Sequence, residues 1–174
     1  MAIRIIIILF LLLNSLKPAC NGFNWYHEIN INDCNEGDIA TLKEFIKNSN
    51  DNLQIDMDIN LNGIIDATEL GWQLWEEGRL IHWICKDVPS PWYFYEYDCG
   101  LSGNIPKNIN NLDQIIKLKI HNNELSGYIP NTICDLEIIN KNKYWFNIDG
   151  NNLCPPYPDC LNHKKIDQKT ADCK

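Results

Sequence analysis

From Asp38 to Ile46 the apolar residues Ile39, Leu42, Phe45 and Ile46 recur at helical spacing, with Asp38 placed as a helix N-cap. The stripe stops at Asn48-Ser-Asn-Asp-Asn52, a run that favours turns. Ala67 to Glu77 predicts a second helix whose apolar face is Leu70, Trp72, Leu74 and Trp75, with Gly78 as its stop. Arg79 to Cys85 reads as an edge strand, and Asp87-Val-Pro-Ser-Pro91 as a loop. Residues 23–37 are aromatic and polar without a period, and predict irregular structure.

Beyond Cys99 the pattern repeats itself. Leu101-Ser-Gly-Asn-Ile-Pro106 returns 24 residues later as Leu125-Ser-Gly-Tyr-Ile-Pro130. The second copy is nearly complete, reading Ile115-x-x-Leu118-x-Ile120-x-x-Asn123-x-Leu125-x-Gly127-x-Ile129-Pro130-x-x-Ile133-x-x-Leu136. A worn third copy, Phe146-x-Ile148-x-x-Asn151-x-Leu153, sits four residues later than strict spacing would put it. Self-similarity at such a period marks stacked structural repeats.

These motifs resemble the plant-type leucine-rich repeat over about 60 residues, from Leu101 through Cys160, and more weakly back to Tyr93. The resemblance implies an α/β solenoid: a short array of about 2.5 repeats with parallel strands, capped by an N-terminal helical module and a disulfide-bearing C-terminal tail. The corresponding boundaries are a leader at 1–22, a helical cap at 23–90, repeats at 91–153 and a C-terminal cap at 154–174. So few repeats cannot bury both open ends, so the caps belong to one cooperative unit with the array.

Within such repeats Leu118 and Ile120 point inward while Lys117, Lys119 and His121 face outward. One repeat back lie Tyr93, Tyr95 and Tyr97; one repeat forward lie Trp145, Asn147 and Asp149. The expected ligand face is therefore a tyrosine row, a basic row and a Trp-Asn-Asp row. Glu96 falls where Ile120 and Ile148 are buried, so the first row either carries a bulge or is shifted by one residue, which turns its tyrosines into core. Asn123 and Asn151 read as ladder residues whose amides satisfy backbone groups between coils.

Asp58-Ile-Asn60-Leu-Asn62-Gly63-Ile64-Ile65-Asp66-Ala-Thr-Glu69 fits each position of the EF-hand calcium loop. Calcium takes hard oxygen ligands, so Asp58, Asn60 and Asn62 at alternate positions wrap one side of the ion. Gly63 permits the sharp turn, the Ile64 carbonyl and Asp66 follow, and Glu69 closes the sphere. The competing reading is an acidic turn capping the next helix. Because the segment before the loop is a poor helix former, the motif resembles a dockerin-like half-hand. Its affinity is on the order of 10⁻⁴ to 10⁻³ M, that of extracellular modules, which makes calcium a structural ion.

Charge and cysteine place the chain. Ile5 to Leu13 is an unbroken apolar run behind Arg4, the pattern of a secretory leader, and no second apolar segment is long enough to anchor in a membrane. The formal charge of −8 becomes −10 without residues 1–22, which carry Arg4 and Lys17 and no acid. Nucleic acid is excluded as a partner by that sign. Eight cysteines in a secretory context argue for disulfides. If Cys20 leaves with the leader, seven remain and Cys99 is the odd thiol; if it stays, Cys20–Cys34 and Cys85–Cys99 become local pairs. The repeat resemblance implies a closing Cys154–Cys160 loop, and Cys134–Cys173 is a further pairing that would tie the tail over the last repeat.

The four histidines stand in no hydrolase motif, and Glu76 and Glu77 are adjacent, a poor acid/base pair. The expectation is therefore a non-enzyme. Families with this repeat, such as receptor-kinase ectodomains and polygalacturonase-inhibiting proteins, mostly recognise proteins or peptides. The resemblance implies a secreted or cell-surface module that binds a protein or peptide ligand. A structural matrix protein is the alternative, and a glycan-binding or glycan-active protein the third.

Overall fold

The computed structural model describes residues 20–24, 29–49, 53–86 and 99–173. Its elements in chain order are strand β1 (Gly22–Phe23), helix α1 (Glu36–Ser49), β2 (Trp72–Glu76), β3 (Arg79–Ile84), β4 (Ser102–Asn104), β5 (Lys117–Lys119), β6 (Glu124–Tyr128), β7 (Phe146–Asn147) and β8 (Asn152–Cys154), linked by short 3₁₀ turns. Two sheets form, one in the order β1-β2-β3-β5-β7 and the other β4-β6-β8.

This corrects the expected solenoid. The described residues hold one α-helix and two sheets, a mixed five-stranded one and a parallel three-stranded one, and the strands do not close as a repeat solenoid. The physical reason lies in residues 70–84. Dense apolar residues there suggest a helix, but Gly71 has a φ of +71° and a Cβ at that position would lie 2.7 Å from the Ile84 carbonyl, so the chain breaks after a single 3₁₀ turn at Ala67–Glu69. It then alternates as a strand, burying Gln73 and Trp75 while Trp72 and Leu74 stay half-exposed on the other face. A turn at Glu77-Gly78 returns it antiparallel as β3. β3 is not an edge but the middle strand, pairing β2 on one side and β5 in parallel on the other.

β5 runs parallel to β7, with Leu118 opposite Phe146 at the offset of 28 residues that the third copy implies. Both edges of β5 are thus filled, by β3 and β7. The matching Ser-Gly phrases line up as β4 and β6, also parallel.

α1 begins two residues earlier than Asp38. Asn35 caps it, its side-chain oxygen accepting from the N–H groups of Gly37 at 2.9 Å and Asp38 at 3.1 Å. Asp38 is instead a buried ion-pair partner. Its carboxylate accepts from Arg79 Nε at 2.9 Å, Arg79 Nη2 at 3.0 Å and the Leu80 N–H at 2.9 Å. Arg79 also reaches the Asn111 carbonyl and Asp113, so one guanidinium pins α1, β3 and the turn before β5. The Asp38 carboxylate holds that guanidinium protonated even more firmly than an ordinary arginine.

A single core runs from Cys20 to Leu161 and includes Phe45, Trp75, Trp83, Leu118, Phe146 and Leu153. Phe45 meets Trp83 edge-on at 4.8 Å, joining α1 to the sheet. Cys20 is bonded to Cys34, and Gly22 and Phe23 pair with Trp75 and Leu74.

The disulfides are Cys20–Cys34, Cys85–Cys99, Cys134–Cys160 and Cys154–Cys173. The expected Cys154–Cys160 loop is therefore corrected, as is the Cys134–Cys173 pairing. Cys154 ends β8 and faces the returning tail, while Cys160 sits in a 3₁₀ turn packed on the turn that carries Cys134. The Cα atoms of the observed pairs lie 5.6 and 5.5 Å apart, within disulfide reach.

Candidate functional site

Strand alternation divides the five-stranded sheet. Trp83, Leu118 and Phe146 line up across β3, β5 and β7 and are buried in the core. The opposite face carries Trp72 and Leu74 from β2, His82 from β3, Lys117 and Lys119 from β5 and Asn147 from β7, with Tyr144 and Trp145 just before it.

Of the expected face residues, the structure brings together Lys117, Lys119, Trp145 and Asn147. Lys119 is registered beside Asn147. The Lys117 ammonium stands 4.0 Å from the centre of the Tyr144 ring and 5.8 Å from that of Trp145, and the two rings meet edge to face. The Lys119 ammonium is 5.6 Å from the Tyr144 ring. Contacts of this kind contribute about 0.5–2 kcal/mol each, more as water is excluded.

His121 and Asp149 contribute less to an open face than expected. His121 is buried, only 6 % exposed. Asp149 is engaged within the molecule, holding Lys143 and accepting from the Asp167 N–H at 3.2 Å, which ties down the tail. Tyr93, Tyr95 and Tyr97 lie outside the described residues, and the edge of β5 that they were expected to flank belongs to β3.

β3 and β2 supply what the repeat pattern missed. Trp72 stacks on His82 with centroids 6.1 Å apart, and Phe23 lies 5.0 Å from Trp72. Burial, and after it the charge of Lys117, pushes the His82 imidazole below its ordinary pKa, with Glu76 opposing. His82 is therefore neutral at pH 7, and the positive charge of the face is that of its lysines. The strand reading of Arg79–Cys85 did not single out His82, although strand alternation could have placed it on this face; Trp72 was hidden by the helical reading, and Tyr144 by its place before β7.

Lys117 combines two properties that rarely coincide. The residue is only 8 % exposed, yet no carboxylate or hydrogen-bond acceptor meets its ammonium among the described residues. Arg79, Lys47 and Lys143, by contrast, all have acidic partners. The buried stem fixes the ammonium in place while its three donors remain uncommitted.

The loop at 58–69 forms a second candidate site. Asp58 and Glu69 are 7 % and 5 % exposed. Asp58 accepts from the N–H groups of Asn62 at 3.1 Å and Gly63 at 2.7 Å, and Glu69 from those of Asn60 at 3.0 Å and Asp66 at 2.9 Å. Asn62 accepts from the Ile64 N–H at 2.8 Å, and Asn60 lies 3.5 Å from the Asp66 carboxylate. Gly63 takes a φ of +84° at the turn, and Ile65 packs on the core. No basic side chain neutralises Asp58 or Glu69 among the described residues. No group of three or more His, Cys, Asp or Glu side chains converges there as a metal cluster, so any ion must also draw on the asparagine amides and the Ile64 carbonyl.

An open groove of about 680 Å³ lies between α1 and the turns after β4 and β6, lined by Glu44, Asn48, Ile105, Tyr128 and Pro130 among others. No protein-family model matches this chain, and no curated protein matches it.

Proposed function

We propose that the protein is an extracellular recognition module that binds a protein or peptide ligand on the outer face of its five-stranded sheet. The observation that carries this reading is the pair Lys117 and Lys119, held among Tyr144, Trp145 and Asn147 with no acidic partner among the described residues. Aromatic rings such as those of Tyr and Trp are enriched at the centres of protein interfaces. Four disulfides fit an oxidising compartment, and no described helix is long and apolar enough to cross a membrane. The likeness of the repeated Leu-Ser-Gly-x-Ile-Pro phrase to a repeat class used mostly for protein recognition favours the same ligand class.

The test is capture of ligand from extracellular material by the wild type and by Lys119→Glu combined with Trp145→Ala. Both side chains are partly exposed, and because Trp145 packs on the core a melting curve of the variant accompanies the capture to verify its fold. Capture falls at least about tenfold, the equivalent of ~1.4 kcal/mol. Undiminished capture moves the site elsewhere.

We further propose that the loop at 58–69 holds a structural calcium ion through Asp58, Asn60, Asn62, the Ile64 carbonyl, Asp66 and Glu69. The all-oxygen donor set fits calcium, and the two buried carboxylates have only backbone amides as partners. Bound calcium supplies positive charge that cross-links the loop to the turn leading into β2. With an affinity on the order of 10⁻⁴ to 10⁻³ M, 10 mM calcium adds about 1.4–2.7 kcal/mol of stability. For a fold of this size that raises Tm by roughly 3–10 °C. Glu69→Gln, which keeps one acceptor oxygen and loses the charge, abolishes the calcium-dependent part. Identical melting in calcium and in chelator sinks the ion.

A further inference from the structure

We infer that the sheet face selects an acidic peptide, an extended segment whose carboxylate sits between Lys117 and Lys119 and whose apolar neighbours lie on the flanking rings. This rests on the recognition reading above and adds the chemistry of the ligand. The first reason is charge. The chain as a whole carries −8, yet this face holds two lysines on alternate residues of one strand, the partly exposed Lys119 and the largely buried Lys117, that nothing acidic among the described residues neutralises. A local reversal of sign inside an acidic surface steers an anion to one place and repels it elsewhere.

The second reason is pre-organisation. Lys117 is 8 % exposed and its ammonium is seated 4.0 Å from the Tyr144 ring, so a ligand does not have to immobilise a free lysine chain. Docking a carboxylate there forms a charge-assisted hydrogen bond at reduced entropic cost.

The third reason separates a peptide from an acidic glycan. Sugars stack on open ring faces, whereas here Lys117 covers a face of Tyr144, and Trp72 already carries Phe23 at 5.0 Å and His82 at 6.1 Å. What remains are the exposed side of the Tyr144 ring and the half-exposed Leu74, which suit apolar side chains. From β2 to β7 the face spans three strand spacings, roughly 14–15 Å, the reach of about four or five extended residues. The width thus matches a short motif with an acidic centre and apolar ends.

The test uses the full chain to select binders from a random peptide display library, followed by titration of the selected peptides. The expected result is enrichment of Asp or Glu beside aliphatic or aromatic residues, with affinity falling about tenfold or more in Lys117→Met, which keeps the buried stem, and in Lys119→Gln. Lys119→Glu shifts selection towards basic peptides, which distinguishes a changed preference from a damaged fold. Peptides that depend on Trp145 but show no acidic enrichment overturn the inference and leave the recognition reading standing. Selection of no peptide that depends on this face overturns both. Binding of an oligouronate through the same lysines, with no acidic peptide selected, overturns the peptide in favour of an acidic glycan.

Discussion

Asp38→Ala destabilises the fold by about 3–5 kcal/mol, the cost of breaking a buried ion pair from one side. Asp38 has a fully buried side chain and receives Arg79 Nε at 2.9 Å, Arg79 Nη2 at 3.0 Å and the Leu80 N–H at 2.9 Å. Removing the carboxylate strands the Leu80 amide in the core and leaves the guanidinium with Asp113 and the Asn111 carbonyl as its remaining partners. At about 2–4 °C per kcal/mol for a chain of this length, Tm falls by roughly 6–20 °C. The damage belongs to the unpaired groups rather than to a strong net attraction, so Asp38→Leu with Arg79→Met recovers much of it. Urea denaturation of the two single variants and the double variant checks this. Additive losses contradict the pairing.

Asn151→Leu is expected to be the second most damaging change, at about 2–4 kcal/mol. Asn151 is fully buried. Its side-chain oxygen accepts from the Leu125 N–H at 3.1 Å, and its amide donates to the carbonyls of Ile120 at 3.0 Å, Ile148 at 2.9 Å and Asp149 at 3.3 Å. Leucine of similar volume leaves little cavity but no partner for these groups, and a buried orphan costs about 1–3 kcal/mol. The effect is also local. Amide exchange at Leu125 accelerates in Asn151→Leu, whereas Asn123→Leu releases the amide of Leu101, which Asn123 holds at 3.0 Å. Equal exchange at both amides in either variant contradicts the assignment.

These asparagines show what the sequence makes legible. Their spacing from Leu125 and Leu153 is local, and the hydrogen bonds they make follow from a repeated backbone path that each copy writes for itself. The same holds for Leu118 and Phe146, whose pairing across 28 residues could be read from matched phrases. What could not be read depends on contacts outside any copy. Gln73 looks like a solvent-facing helical residue, but in the fold its amide is buried because the carbonyls of Ala67 and Leu70 receive it at 2.8 and 2.9 Å. Trp75 then donates to the Gln73 oxygen, and the segment becomes a strand. Propensity and apolar density do not register such a partner. Arg79–Ile84 was legible as a strand but not as the neighbour of β5, because nothing in its own residues announces a parallel partner. The connectivity of Cys134, Cys154, Cys160 and Cys173 is equally non-local, set by how the tail folds back on β8.

The candidate face follows the same division. Lys117, Lys119, Trp145 and Asn147 came from strand alternation in two copies, and alternation is a property of single strands. Trp72 and Tyr144 entered only when β2 and the approach to β7 took their places. Asp149 was drawn inward by Lys143 and the tail, an interaction with no signature in the repeat.

The most direct test maps where a selected peptide sits, by following side-chain NMR signals of the intact protein during titration. The shifts are expected to gather on Lys117, Lys119, Tyr144, Trp145 and His82, leaving Ile105 and Tyr128 in the groove beside α1 unmoved. Shifts that gather around Ile105, Tyr128 and Pro130 instead, with the Lys117 and Trp145 signals unchanged, contradict the claim that this sheet face is the binding surface.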